Sequence, residues 1–121
     1  MWRGGLAIGD DVWIGMDDVI SPVCGASITI GSCCDLGPGV MILTGSHKID
    51  SAGTHIAGEG TVSDVEIGDG CWLGARATIL PGVRLARKTL IAAATVVTRS
   101  VDVENSLIAG VPGKIRKTYK I

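Results

Sequence analysis

The sequence predicts an all-β protein, a parallel β-helix of about four triangular coils with one extruded loop at about 45–64 and a basic C-terminal tail. Three observations carry this. An aliphatic residue recurs every six positions, the residue four places after it is small or β-branched, and glycine repeatedly stands one place after it.

Counting in sixes from Ile67 gives Leu73, Ile79, Leu85, Ile91, Val97 and Val103. In the first half the same period runs through Ile8, Ile14 and Ile20, then Ile30, Leu36 and Ile42. Four places after these anchors stand Val12, Cys24, Cys34, Val40 and Ser46, then Cys71, Ala77, Val83, Thr89, Thr95 and Val101; Asp18 breaks the rule. Gly9, Gly15, Gly31, Gly37, Gly68 and Gly74 follow their anchors directly, as a corner requires where the backbone turns with no Cβ in the way. Neither a helical period of about 3.6 nor strand alternation produces a strict six. Six residues supply one short strand and a corner, so three units close a triangle that stacks on the next.

The coils fall at 8–25, 30–47, 67–84 and 85–102, each rising about 4.8 Å. Such a prism admits only thin side chains, which fits a chain with no Phe and 46% hydrophobic residues. Cys24, Cys34 and Cys71 occupy the small inward slot, where burial is their expected role. Cys33 faces outward and has no readable role. The rhythm breaks twice: ten residues separate Ile20 from Ile30, a bulge around "PVCGAS", and 25 separate Ile42 from Ile67. Long excursions from a compact repeat are usually functional or disordered. This one holds both histidines. Ile42 as anchor and Ser46 in the small slot set His47 at the end of a rigid coil, while His55 travels with the loop.

One domain, residues 1–121, accommodates this length. No apolar run reaches the roughly 18–20 residues of a membrane span, and "MWRGGLAIGDD" lacks the apolar block of a signal peptide, so the expected setting is cytoplasmic. The cysteines then read as reduced thiols, and without a CxxC pair no metal is expected. The net charge of -1 hides an asymmetry: residues 1–83 hold three basic and ten acidic residues, the remainder eight basic against Asp102 and Glu104. A basic end of this kind attracts phosphates. Nucleic acid is disfavoured there, because Tyr119 is its one aromatic residue.

"IGDGCWLGARATILPGVRLARKTLIAAATVVTRSV" followed by "AGVPGKIRK" resembles the C-terminal half of the hexapeptide-repeat acyltransferases, and "LGPGVMILTGSHKID" is similar to the segment before their extruded loop. The resemblance covers Leu6 to Lys117, and "TGSH" looks most like the sugar O-acetyltransferases of the surface-polysaccharide and galactoside or maltose type. It implies a left-handed β-helix, acetyl-CoA as co-substrate, a hydroxyl-bearing small molecule as acceptor, and a homotrimer with sites between neighbours. The catalytic base falls on His47, since a neutral imidazole can take the proton of a sugar hydroxyl as its oxygen attacks the thioester. The acetyl-CoA contacts fall on Trp72, Ala75, Ala93, Thr98 and Arg99, with Lys114 and Lys117, and the basic end independently suits the phosphates of CoA. Asp17 or Asp18 is expected to meet the acceptor, because a carboxylate in Asp18's slot is costly unless exposed or paired. Antibiotic or serine acetylation are alternatives within the class. A carbonic anhydrase on the same fold needs three histidines, and each chain offers two. From another class, the chain would be a non-catalytic trimerising module.

Overall fold

The structure, a computed structural model, describes residues 4–120 and is all-β over that range. Each six-residue unit becomes a short strand and a corner. The first face holds β1 (Gly5–Ile8), β4 (Ser27–Ile30), β9 (Val65–Ile67) and β12 (Arg84–Leu85), parallel in that order. The second holds β2 (Trp13–Ile14), β5 (Asp35–Leu36), β10 (Trp72–Leu73) and β13 (Leu90–Ile91), extended by β15 (Ser106–Ala109) and the antiparallel β16 (Lys114–Thr118). The third holds β3 (Val19–Ser21), β6 (Met41–Leu43), β11 (Thr78–Ile79) and β14 (Val96–Val97). The chain visits the faces in turn, and Leu85 pairs with Ile67, Ile91 with Leu73 and Val97 with Ile79, so three six-residue units return it to the same face. β7 (Gly45–Ile49) and β8 (Ala57–Val62) leave this stack as an antiparallel hairpin.

The anchors form the core as three vertical columns. Ile30, Ile67 and Leu85 are buried on the first face, Leu36, Leu73, Ile91 and Ile108 on the second, and Ile42, Ile79 and Val97 on the third. Burying each such side chain is worth about 1.5–3 kcal/mol, so the columns are the main source of stability. The small slot is also inward: Cys34, Val40, Cys71, Ala77, Val83, Thr89 and Thr95 are all buried. Ile8 and Ile14, at the first turn of the stack, are 41% and 46% exposed. They carry no neighbouring coil on their outer side among the described residues.

Three slot and anchor assignments require correction. Cys24 is exposed and Ala26 is buried instead, because the bulge turns through Gly25 (φ 95°) and closes by donation from the Ala26 amide to the Val23 carbonyl. Ser46 is exposed and Thr44 is buried, because the chain departs two residues earlier than strict periodicity places the slot. Val103 is 43% exposed; the period ends at Val101, which bridges Leu85 before the chain crosses to β15.

The corner glycines serve a different purpose from the expected one. A Cβ on Gly37 would lie 2.8 Å from the Ala75 nitrogen, and one on Gly74 would lie 2.7 Å from the Ala93 nitrogen. Close approach of the next coil's backbone therefore requires them. The left-handed turn falls two places later, at the non-glycine residues Asp11, Asp17, Cys33 and Arg76 and at Gly39 and Gly70, and it recurs at Lys88 and Ala94.

Candidate active site

His47 lies in β7 and is exposed. Its Nδ1 is 2.9 Å from the carbonyl oxygen of Gly58 in β8. A carbonyl can only accept, so Nδ1 is the donor, and in the neutral imidazole the lone pair is then on Nε2. The hairpin delivers that carbonyl through a close approach: a Cβ on Gly58 would lie 2.8 Å from the Asp50 Cβ. Lys48 pairs with Glu59 at 3.1 Å, but both are well exposed and the pair adds little. Asp50 shapes the tip by accepting from the Gly53 amide at 3.0 Å. His55 is exposed at that tip.

The hairpin is anchored where it leaves the coil. Thr44 is fully buried, and its hydroxyl accepts from the Val23 amide at 2.9 Å and donates to the Ser21 carbonyl at 2.7 Å. The bulge and the exit of the hairpin are thus tied to one side chain. Across the gap, the Ser63 amide donates to the Thr44 carbonyl at 2.9 Å and returns the chain to the stack.

Six of the seven residues matched to acetyl-CoA gather in two hollows. Trp72, Ala75 and Ala93 line an apolar groove of about 440 Å³ with Pro38, Leu90 and Leu107. Trp72, Leu90 and Leu107 are register partners on the second face, and Ala75 and Ala93 form its corner with the third. Hydrogen bonds at this corner use the amides of Gly74, Arg76, Ala92 and Ala94, and among the described residues those of Ala75 and Ala93 are left over. Thr98, Arg99 and Lys114 line a second hollow of about 430 Å³ with Pro112 and Gly113, where the two cations supply positive charge. Lys117 stands apart in β16, its Nζ 5.0 Å from the Tyr119 ring centroid, a cation–π distance.

Asp18 is a brace between coils. One carboxylate oxygen accepts from the Gly15 amide and the other from the Val40 amide, each at 2.8 Å. The backbone donors therefore offset the cost of its half-buried position. Asp17 is the exposed member of the pair, in the left-handed turn.

His47 and the groove stand at different corners. The hairpin leaves between β6 on the third face and β9 on the first, whereas the groove lies on the second face and its corner with the third. The second hollow shares the hairpin's corner but lies two strands along the stack, about 10 Å away. Sequence reasoning had not named Gly58, Pro38, Leu90 or Leu107. The register holds a signal for Leu90, which pairs with Trp72 just as Ile91 pairs with Leu73. Gly58 depends on strand pairing within the hairpin, and its spacing carries no such signal. Among the described residues, no three His, Cys, Asp or Glu side chains are grouped to hold a metal ion, and no helix is long and apolar enough to cross a membrane.

Residues 64–99 match the family model of the hexapeptide repeat of succinyl-transferase. A Saccharomyces cerevisiae protein provisionally named acetyltransferase YJL218W is 36% identical over 110 residues, 91% of this chain and 54% of its own length. The crystal structure of a maltose O-acetyltransferase from Clostridium difficile 630 superposes with a TM-score of 0.86 at 30% identity, over 96% of this chain and 60% of that one. A Vibrio cholerae hexapeptide-repeat acetyltransferase complexed with acetyl coenzyme A gives 0.86 at 32% identity, over 96% and 61%. The chain spans about half the length of these curated relatives. In its repeat over residues 64–99 and in its fold, the chain is similar to the hexapeptide-repeat acetyltransferases.

Proposed function

We propose that the chain transfers the acetyl group of acetyl-CoA to a hydroxyl of a sugar or a similar small molecule, in a site completed between subunits of a homotrimer. The observation that carries this reading is the bond between His47 and the Gly58 carbonyl, which leaves Nε2 available as a base. Nε2 takes the hydroxyl proton as the oxygen attacks the thioester carbonyl, and the tetrahedral intermediate expels CoA sulfur, which recovers the proton from the imidazolium. Both substrates are bound together, so no acyl-enzyme is needed.

The apolar groove suits the thin pantetheine arm, with the unused amides of Ala75 and Ala93 as donors toward it. Arg99 and Lys114 supply cations for phosphates, with Thr98 beside them and Lys117 farther along. The Trp72 indole N–H is a donor for the oxyanion. Asp17 contacts the acceptor, and Asp18 fixes the turn that presents it. The coils wind left-handed, four in number, in a cytoplasmic protein. Separation of His47 from the groove within one chain supports completion of the site by a neighbour.

The experiment is release of CoA from acetyl-CoA with a panel of galactosides, glucosides and maltose, comparing the native chain with His47→Ala. Acceptor-dependent release is expected to fall by roughly 10²–10⁴-fold, with the melting temperature retained because His47 is exposed. Equal release by both proteins overturns the mechanism. Failure of acetyl-CoA to bind or to raise the melting temperature favours an assembly module instead.

A further inference from the structure

Acetyl transfer makes no use of one pair of side chains in the core. Cys34 and Cys71 are both fully buried in the inward slot at the corner between the first and second faces. They belong to adjacent coils in register: Asp35 pairs with Trp72, and the Asp35 amide donates to the Cys71 carbonyl at 2.9 Å. Adjacent strands lie about 4.8 Å apart, within the roughly 4.4–6.8 Å Cα separation of disulfides. The Cys34 thiol donates to the Gly68 carbonyl at 3.2 Å, which carries its sulfur toward the coil that holds Cys71. Cys71 in turn donates onward to the Ala86 carbonyl at 3.2 Å. Contact with the Cys71 side chain pulls the Cys34 thiol down to about 7, while Cys34 and burial push Cys71 well up.

We propose that Cys34 and Cys71 are a redox modification site, able to form a disulfide between adjacent coils. The oxidant is a low-molecular-weight disulfide such as oxidised glutathione. The Cys34 thiolate attacks one of its sulfurs and releases one thiol; Cys71 loses its proton, attacks the Cys34 sulfur and releases the second. The protein gives up two protons and two electrons, and the oxidant becomes two thiols. Burial restricts this exchange to the open coil, during folding or local opening. The bond closes a loop over residues 35–70, which contains the His47 hairpin.

The test uses the full chain carrying Cys24→Ser and Cys33→Ser, which leaves the buried pair alone. The protein is unfolded, refolded in a glutathione redox buffer, quenched by alkylation and weighed intact. The expected product has lost two hydrogens and carries neither glutathione nor alkyl groups. Its melting temperature is expected to exceed that of the reduced form by roughly 5–15 °C. Adding Cys34→Ala or Cys71→Ala, a residue that the same slot already accepts at Ala77, should abolish the difference between oxidising and reducing buffer. Full alkylation of both thiols, stable single glutathionylation, or a disulfide-linked dimer in place of the internal bond overturns the proposal.

Discussion

A single carbon atom decides the sign of a substitution at two neighbouring corner positions. Ala94 adopts φ 59°, a conformation that disfavours a Cβ by about 1–2 kcal/mol. Gly74 has no such φ, but a Cβ there would strike the Ala93 nitrogen at 2.7 Å. Ala94→Gly is therefore expected to stabilise by about 0.5–1 kcal/mol after the extra entropy of glycine in the unfolded chain, and Gly74→Ala to destabilise by about 1–3 kcal/mol. Urea unfolding of the two variants measures both, and equal signs would refute this division of roles. The glycine positions were legible in the sequence as missing side chains. Their cause was not, because a repeat shows where a Cβ is absent without showing whether backbone angle or a neighbouring coil excludes it.

For single elements, legibility followed the strength of the local period. The strands of the coils were readable because anchor and slot residues recur at fixed spacing, and Ile67, Leu73, Ile79 and their successors through Val97 are buried where expected. The hairpin was readable only as an interruption. Its strands, "GSHKI" and "AGEGTV", have weak apolar alternation and are exposed over most of their length, so neither their pairing nor the His47–Gly58 bond could be derived from spacing. The slot shift from Ser46 to Thr44 has the same origin, since the period does not say where the chain departs. Thr44 now carries a specific expectation. Thr44→Val keeps the shape but strands the Val23 amide and the Ser21 carbonyl, at a cost of about 1–3 kcal/mol. Hydrogen exchange should show faster opening at Val23 and at the base of the hairpin than in β10–β13, whereas uniform acceleration throughout the chain would place the role of Thr44 in global stability.

Across the whole molecule, the geometry separates the two halves of the proposed chemistry. The hairpin with His47 leaves the corner between the third and first faces, and the apolar groove follows the second face and its corner with the third. If the site joins His47 of one subunit to the groove of a neighbour, two defective chains can repair each other. His47→Ala removes the base but keeps the groove. Ala93→Trp fills the groove with an indole but keeps the base, and because Ala93 is exposed, the added ring need not enter the core. Each variant alone should be inactive. Unfolded, mixed in equal amounts and refolded together, they are expected to form cyclic assemblies in which some interfaces pair an intact base with an intact groove. Random assortment makes that about one interface in four, so activity should recover to about a quarter of the native level. A site contained within one chain gives no recovery, since every chain in the mixture carries one lesion. The measurement is CoA release from the refolded mixture against each variant refolded alone, with size-exclusion chromatography confirming that the assemblies match the native one in size. Native-sized mixed assemblies that stay at the level of the single variants would rule out a site shared between subunits.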